Sequence, residues 1–252
     1  MKRLLLIIVF SISIISVKAQ TIRNTKTSSQ IWAGYFNQSR ISKRWGFWLD
    51  AQIRTTDNFV DSMVSLVFRP GLTYYFNDNN RATAGYAYMI HYPANNPGTI
   101  SQPEHRFWQQ FQWSINTKKA RITQRIRLEE RFRRKFESAN ELANDYYFNY
   151  RIRLNLAMQI PLLGNAYKKG SLSALISDEV MINFGNQVVY NYFDQNRFLV
   201  GFNYYTDDNN TIFLGYMHQF QQLATGNDYL QMNVIRFIYT QNLDFRKSEN
   251  RQ

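Results

Sequence analysis

Arginine and glutamate occupy nearly every second position in the segments 104–106 and 121–133, and two arginines share this spacing at 151–153. Guanidinium groups donate paired hydrogen bonds to carboxylate or phosphate, and buried carboxylates need such partners. The spacing therefore predicts an ion-pair network or a surface that attracts anions. The residues concerned are Glu104, Arg106, Arg121, Arg125, Arg127, Glu129, Arg131, Arg133, Arg151 and Arg153.

The sequence offers few residues for catalysis. It has no cysteine, which excludes disulfides, cysteine-ligated metals and thiol chemistry. Its three histidines, His91, His105 and His218, lack metal-ligand spacing, and no phosphate loop or serine nucleophile motif occurs. His105 near Ser101 is the one candidate pair for an outer-leaflet lipid-modifying enzyme, and an interfacial position suits His105 better. We predict no enzyme activity, no metal and no cofactor.

Apolar and polar residues alternate along the chain with the period of a β-strand. For example, Ile152, Leu154 and Leu156 alternate with Arg153 and Asn155. We predict eleven strands from this pattern. They span 30–40, 45–55, 62–76, 81–91, 104–116, 120–133, 146–159, 170–183, 196–206, 211–223 and 229–243.

The connections between these strands alternate in length. Short turns occur at 42–43, 77–80, 118–119 and 207–210, with a somewhat longer one at 161–169. Longer polar loops cover 56–61, 92–103, 134–145, 184–195 and 224–228. Short turns on one side and long loops on the other are typical of outer-membrane barrels.

Aromatic residues on the apolar face cluster near the strand ends, as in the two interfacial girdles of a membrane barrel. Phe47, Tyr74 and Trp113 lie toward the short turns, and Phe107, Phe132, Phe148 and Phe220 lie toward the long loops. A soluble sandwich or a lipocalin-like barrel also alternates, but its polar outer face needs no aromatics at both ends. We therefore predict an all-β, transmembrane, antiparallel up-and-down barrel.

The first residues resemble a secretory signal peptide. Lys2 and Arg3 precede an apolar run over 4–17, and cleavage after Ala19 leaves Gln20 as the mature N-terminus. We predict a signal peptide at 1–19, a polar segment at 20–29, the barrel at 30–245 and a polar tail at 246–252. The expected location is the outer membrane of a Gram-negative bacterium.

The predicted strand count is odd, whereas bacterial single-chain barrels have even counts. We therefore expect about 12 strands, with 10 as the alternative. In the last strand, Val234 and Phe237 have opposite parity, which predicts a bulge near Ile235.

Several short motifs occur in a recognisable order. They are Arg69-Pro70-Gly71-Leu72-x-Tyr74, Gly85-Tyr86-x-Tyr88, Glu104-His105-Arg106-x-x-x-Gln110, Arg125-x-Arg127-Leu128-Glu129-x-Arg131, Tyr150-Arg151-x-Arg153-Leu154 and Asn196-Arg197. In this order and spacing the sequence resembles an uncharacterised family of outer-membrane barrels, domain-of-unknown-function family 2490. The resemblance implies a barrel in the outer membrane and implies no activity.

The short turn at 118–119 fixes the pairing of one hairpin. A two-residue loop pairs Thr117 with Ala120, which sets Glu104 opposite Arg133 and Glu129 opposite Trp108. Glu129 is then diagonal to Arg106, and Arg151 lies near it across the next loop. This arrangement predicts a charge lattice in the lumen made of Glu104, Arg106, Glu129, Arg131, Arg133 and Arg151.

Strand parity puts eleven arginines and four acids on the inner face, an excess of seven positive charges. The arginines are Arg54, Arg69, Arg106, Arg121, Arg125, Arg127, Arg131, Arg133, Arg151, Arg153 and Arg197, and the acids are Asp50, Glu104, Glu129 and Glu179. One hypothesis is a narrow, porin-like pore for small anionic solutes, with Arg121, Arg125, Arg127 and Arg153 as the candidate anion path. The alternative is a non-conducting structural or assembly barrel whose lattice satisfies itself.

The expected partners are outer-membrane lipid and small anionic solutes. The formal net charge of +12 does not indicate nucleic-acid binding, because the arginine excess faces inward in an exported protein.

Overall fold

The computed structural model describes residues 23–56, 62–93, 100–117 and 119–246, and these form eleven strands. The predicted signal peptide and Lys118 of the predicted turn lie outside the described residues. No helix within these ranges is long and apolar enough to span a membrane. The strands are β1 (Asn24–Arg40), β2 (Trp45–Thr56), β3 (Ser62–Tyr75), β4 (Asn80–His91), β5 (Gln102–Asn116), β6 (Arg121–Ser138), β7 (Glu141–Leu163), β8 (Leu172–Phe184), β9 (Phe193–Tyr205), β10 (Asn210–Gln222) and β11 (Asp228–Asp244).

The strands close into one barrel in sequence order, so the predicted all-β barrel is confirmed. Every neighbouring pair is antiparallel except β1 with β11, which are parallel and pair from Asn24 with Asp228 to Arg40 with Asp244. An up-and-down chain with eleven strands must close this way, because its first and last strands run in the same direction. The described residues therefore reach closure without the additional strand expected from an even count.

Three local predictions differ from the structure. The polar segment 24–29 belongs to β1, because its backbone pairs with β11 even though Asn24 to Thr27 are exposed. The segment 134–145 is a hairpin extension of β6 and β7 rather than a loop. The register of β11 is continuous with both neighbours, so there is no bulge near Ile235.

The hairpin extension projects past the paired part of the barrel. Beyond Arg133 and Tyr150, the backbone of this extension pairs only within the hairpin. The pairing with β5 ends at Arg133, and the pairing with β8 ends at Tyr150. Lys135 forms an ion pair with Asp145. This bond, together with the amide of Tyr146, holds the pKa of Asp145 below its usual value.

The two ends of the barrel differ in their connections. At one end, here called the turn end, the connections are 41–44, 76–79, 117–120, 164–171 and 206–209. The opposite end, here called the loop end, has the connections 57–61, 92–101, 139–140, 185–192 and 223–227. The predicted alternation of short and long connections is therefore present, with the 134–145 segment as the exception.

The outer face of the barrel is apolar and carries two rows of aromatic rings. Near the loop end, neighbouring ring centroids are 4.7–6.3 Å apart in the row Phe107, Phe132, Phe148, Tyr150 and Phe184. Near the turn end, they are 5.1–5.8 Å apart in the row Trp45, Tyr74, Phe76, Phe111 and Trp113. Large exposed side chains such as Phe68, Leu72 and Leu154 lie between the rows.

One indole fills much of the lumen beside β3 and β4. Trp108 of β5 is fully buried and lies over Gly71 and Gly85, which pair with each other. A Cβ on Gly71 would lie 2.8 Å from the ring of Trp108, and one on Gly85 would lie 2.9 Å from it. The two glycines thus leave the space that the indole occupies.

Candidate functional site

The inner face of the barrel brings together the six residues of the predicted charge lattice. The β5–β6 register is the predicted one, with Glu104 opposite Arg133, Arg106 opposite Arg131 and Trp108 opposite Glu129. Glu129 also pairs directly with Arg151 of β7. Because residues directly opposite one another on paired strands lie on the same face, their side chains meet in the lumen.

Glu104 is the centre of the lattice near the loop end, and it is completely buried. It accepts hydrogen bonds from the Nε atoms of Arg106 and Arg131, both at 2.7 Å, and from Arg133 at 3.4 Å. Its second oxygen also lies 2.8 Å from Nε2 of His91. Four partners around one buried carboxylate leave it fully compensated.

Glu129 occupies the middle of the lumen and is also completely buried. It accepts hydrogen bonds from Nε of Arg151 at 2.9 Å and from Nη1 of Arg153 at 2.9 Å. Arg106 and Arg127 lie farther away, at 3.7 and 3.8 Å. Glu129 therefore connects arginines from three different strands.

The four residues of the candidate anion path do not form a run of arginines without acidic partners. The hypothesis of an anion path treats them as unpaired positive charge, and the structure corrects this. Glu179 of β8 accepts a hydrogen bond from Arg125 at 2.6 Å and from Arg153 at 2.7 Å. Arg121 lies apart near the turn end, where it bonds Asn116 at 2.9 Å. Pairing across the β6–β7 hairpin could not reveal this, because Glu179 lies one strand farther around the barrel.

Like Arg121, Arg127 hydrogen-bonds no acid within the described part of the chain. Its Nε and Nη2 donate to Oε1 of Gln110 at 3.0 and 2.7 Å, and its guanidinium lies 4.8 Å from the ring centroid of Trp108. Only 1% of the residue is exposed. Its Nη1 has no hydrogen-bond partner among the described residues.

Sequence reasoning missed Arg81, Arg236 and Asp194 in the lumen. Parity identifies the two arginines, whereas Asp194 has the parity of the outward Phe198 and turns inward only because the β8–β9 register is irregular beside it. Arg81 of β4, Arg236 of β11 and Asp194 of β9 all lie on the inner face. Asp194 accepts a hydrogen bond from Arg151 at 2.7 Å. Together they raise the excess of positive charge by one over the sequence-based count.

A tryptophan with stacked arginines narrows the lumen. The guanidinium carbons of Arg54, Arg197 and Arg236 lie 3.8, 5.0 and 5.8 Å from the ring of Trp32. The indole donates a 2.7 Å hydrogen bond to Gln30. Cation–π contacts of this kind hold positive charge next to an apolar surface.

Two cavities lie on either side of this narrowing. The loop-end cavity, of about 330 Å³, is bordered by residues such as His91, Arg131 and Asp194. The turn-end cavity, of about 240 Å³, is bordered by residues such as Arg125, Arg127 and Glu179. The two share Trp32, Arg54, Arg69, Arg153 and Arg197, so these residues form the boundary between them.

The lumen also has an apolar wall, which was not predicted. Trp32, Leu199, Phe213, Met217, Met232 and Val234 form a buried cluster on β1 and β9–β11. Strand parity alone places these residues on the inner face. Leu199 lies two residues from the inward Arg197, and Met217 lies two residues from the inward Gln219. The apolar side chains of the lumen are therefore concentrated on one side of the barrel, where Arg197 and Arg236 also lie.

A family model described as a protein of unknown function (DUF2490) matches residues 29–230. The chain belongs to the DUF2490 family. The match runs from β1 to the beginning of β11, so it includes the whole charge lattice of this DUF2490 protein. No curated protein and no solved structure matches the chain. The function of this DUF2490 barrel must therefore be argued from its own residues.

The three histidines lie on three different strands, β4, β5 and β10. His91 bonds Glu104 inside the lumen, whereas His105 contacts the hydroxyl of Tyr86 on the outer face. His218 lies on β10, opposite Phe198. No group of three or more His, Asp or Glu residues that could hold a metal occurs in the part of the chain that the structure describes.

Proposed function

We propose that this DUF2490 barrel is an integral protein of the bacterial outer membrane. The support is its outer surface, where exposed apolar side chains lie between two rows of aromatic rings. Such a surface is costly in water and suits a bilayer with an interface at each end. The tight turns at one end and the longer connections at the other fit the same location.

Within that proposal, the lumen provides a narrow path for small anions. The observation that carries this step is a set of arginine N–H groups of residues bordering the turn-end cavity, which find no hydrogen-bond partner within the described part of the chain. They belong to Arg54, Arg69, Arg125, Arg127 and Arg236. Each buried unpaired donor costs free energy, so an anion that accepts hydrogen bonds from these groups would be stabilised in the lumen.

A non-conducting structural barrel is the second candidate, and the loop-end half of the lattice favours it. Glu104 and Glu129 are fully buried and fully paired. Such a region resembles the packed interior of a small barrel, in which side chains fill the lumen. The two candidates differ in whether ions cross the boundary at Trp32.

Cell fractionation tests the location. We expect the mature protein in the outer-membrane fraction, with faster migration on gels when it is not boiled. Recovery as a soluble periplasmic protein would contradict the proposal.

Ion flux from liposomes tests the path. Arg54→Gln and Arg236→Gln remove positive charge from residues that hydrogen-bond no acid, so the ion-pair lattice stays intact. We expect this pair of changes to lower chloride efflux several-fold. The matched control is Lys43→Gln with Lys119→Gln, which removes two charges from exposed turns. Equal efflux from both variants would favour the structural barrel.

A further inference from the structure

The turn-end cavity has two chemically different walls. Its cationic wall is formed by β2, β3, β6 and β7, where Arg54, Arg69, Arg125 and Arg127 lie. Its other wall is formed by β1 and β8–β11. This wall carries the apolar residues Trp32, Phe36, Leu175, Leu199, Met217 and Ile238, together with the charged residues Glu179, Arg197 and Arg236. A path for hydrated inorganic ions alone gains nothing from six apolar residues in its wall.

The cationic wall has spare hydrogen-bonding capacity at buried positions. Arg127 is 1% exposed with Nη1 unpartnered, and Arg69 is 4% exposed with Nε unpartnered. Two carboxylates also border the cavity, but both are engaged: Asp50 with Arg69 at 2.9 Å and Glu179 with Arg125 and Arg153. Arg69 and Arg127 both border the cavity, and each has one N–H group without a hydrogen-bond partner among the described residues, although Nη1 of Arg127 lies 3.8 Å from Glu129.

We infer that the turn-end cavity binds a small organic carboxylate with an apolar body. Its carboxylate accepts hydrogen bonds from the free donors of Arg127 and Arg69, and its alkyl or aromatic part packs on Leu199 and Met217. The inference rests on the proposed function in so far as it names the class of anion that enters the lumen.

The dimensions of the cavity limit the ligand to a small molecule. Its volume of about 240 Å³ lies below the range of about 300–1,000 Å³ that is usual for drug-sized ligands. A short-chain fatty acid or a single-ring aromatic acid fits such a space. Each methylene that leaves water for the apolar wall adds to affinity, so longer bodies bind more tightly until the cavity is full.

Binding of three probes to the refolded protein in a nonionic detergent separates the two walls. Hexanoate has the charge and the apolar body, acetate has only the charge, and hexanol has only the body. With a titration into empty micelles subtracted, we expect hexanoate to bind at least about tenfold more tightly than acetate. We expect no measurable binding of hexanol, because it leaves the arginines uncompensated.

Two variants assign the binding to this cavity. Leu199→Asn introduces a polar group where the apolar part of the ligand packs. This change should abolish the preference for hexanoate over acetate. Arg127→Gln removes the free donor and should weaken both acids by about tenfold. Lys43→Gln is the control outside the lumen. Circular dichroism and heat-modifiable migration identify any variant that fails to fold, and Met217→Asn and Arg54→Gln then replace it.

The outcomes distinguish this inference from the proposed function. Equal affinity for acetate and hexanoate, tighter binding of inorganic phosphate, or no binding at all would overturn the inference. Chloride conduction without hexanoate binding would support the anion path and contradict the ligand site. Hexanoate binding without chloride conduction would support the ligand site and contradict the anion path.

Discussion

At the scale of single residues, Glu129 links the two halves of the lumen. Arg151 and Arg153 donate to it directly, and Arg106 and Arg127 lie within 4 Å. Its contact with Arg106 follows from the sequence, because a two-residue turn fixes the register of β5 and β6. The role of Arg153 does not follow in the same way, since it depends on Glu179 in a strand that the hairpin does not reach.

Glu129→Gln removes the negative charge that these arginines share. We expect the free energy of unfolding to fall by about 3–5 kcal/mol, because like charges then remain buried without their partner. The measurement is chemical denaturation of the refolded barrel in detergent or lipid. Glu130→Gln is the matched control, since Glu130 is the next residue and faces outward. Similar losses from both changes would show that Glu129 is not the centre of the lattice.

At the scale of the strands, the hairpins determine which side chains meet. The predicted strand limits lie within three residues of the observed ones except at β1, β6 and β7, where backbone pairing continues beyond the predicted ends. Side-chain alternation does not detect such extensions, because both faces of a strand beyond the barrel are polar. The glycines beneath Trp108 show that strand packing also depends on contacts between non-adjacent strands, since β5 contacts β3 across β4.

The fit of Trp108 to Gly71 gives a test at this scale. Gly71→Ala brings a Cβ to 2.8 Å from the indole, so we expect a loss of about 1–3 kcal/mol in unfolding free energy. In a double-mutant cycle, Trp108→Leu should recover part of that loss, because two of the three nearest atoms belong to the ring. Gly34→Ala, whose nearest contact is 3.3 Å, is the milder control. Strict additivity of the two changes would argue against this packing.

A second pair of variants tests which face of β7 meets lipid. Leu154 is 45% exposed on the outer face, whereas Asn155 borders the turn-end cavity beside Arg125. Leu154→Glu places a charge in the proposed bilayer and should lower the free energy of unfolding. The loss should be smaller than the about 2–4 kcal/mol that an arginine costs at the midplane. Asn155→Glu places the same charge in the lumen between Arg125 and Glu179, and it should cost less than Leu154→Glu. The reverse order in denaturation experiments would contradict the face assignment.

At the scale of the whole molecule, the sequence is sufficient to predict the barrel but not the arrangement of side chains in its lumen. Period-two alternation and alternating connection lengths predict the closed sheet, because both follow from local geometry. The parallel closure of β1 on β11 and the apolar wall around Met217 depend on the complete ring of strands. Consequently, an excess of arginine was predicted correctly, while its pairing with Glu179 and the two-sided shape of the turn-end cavity required the structure.

The central claim is that a barrel with this lumen passes small anions in preference to cations. The direct measurement is the zero-current voltage of the unaltered protein in a planar bilayer with a tenfold gradient of potassium chloride. We expect this voltage to lie close to the equilibrium potential of chloride, because arginines outnumber acids at the boundary and around the turn-end cavity. A voltage close to the equilibrium potential of potassium, or no conductance from protein that has inserted, would contradict the claim.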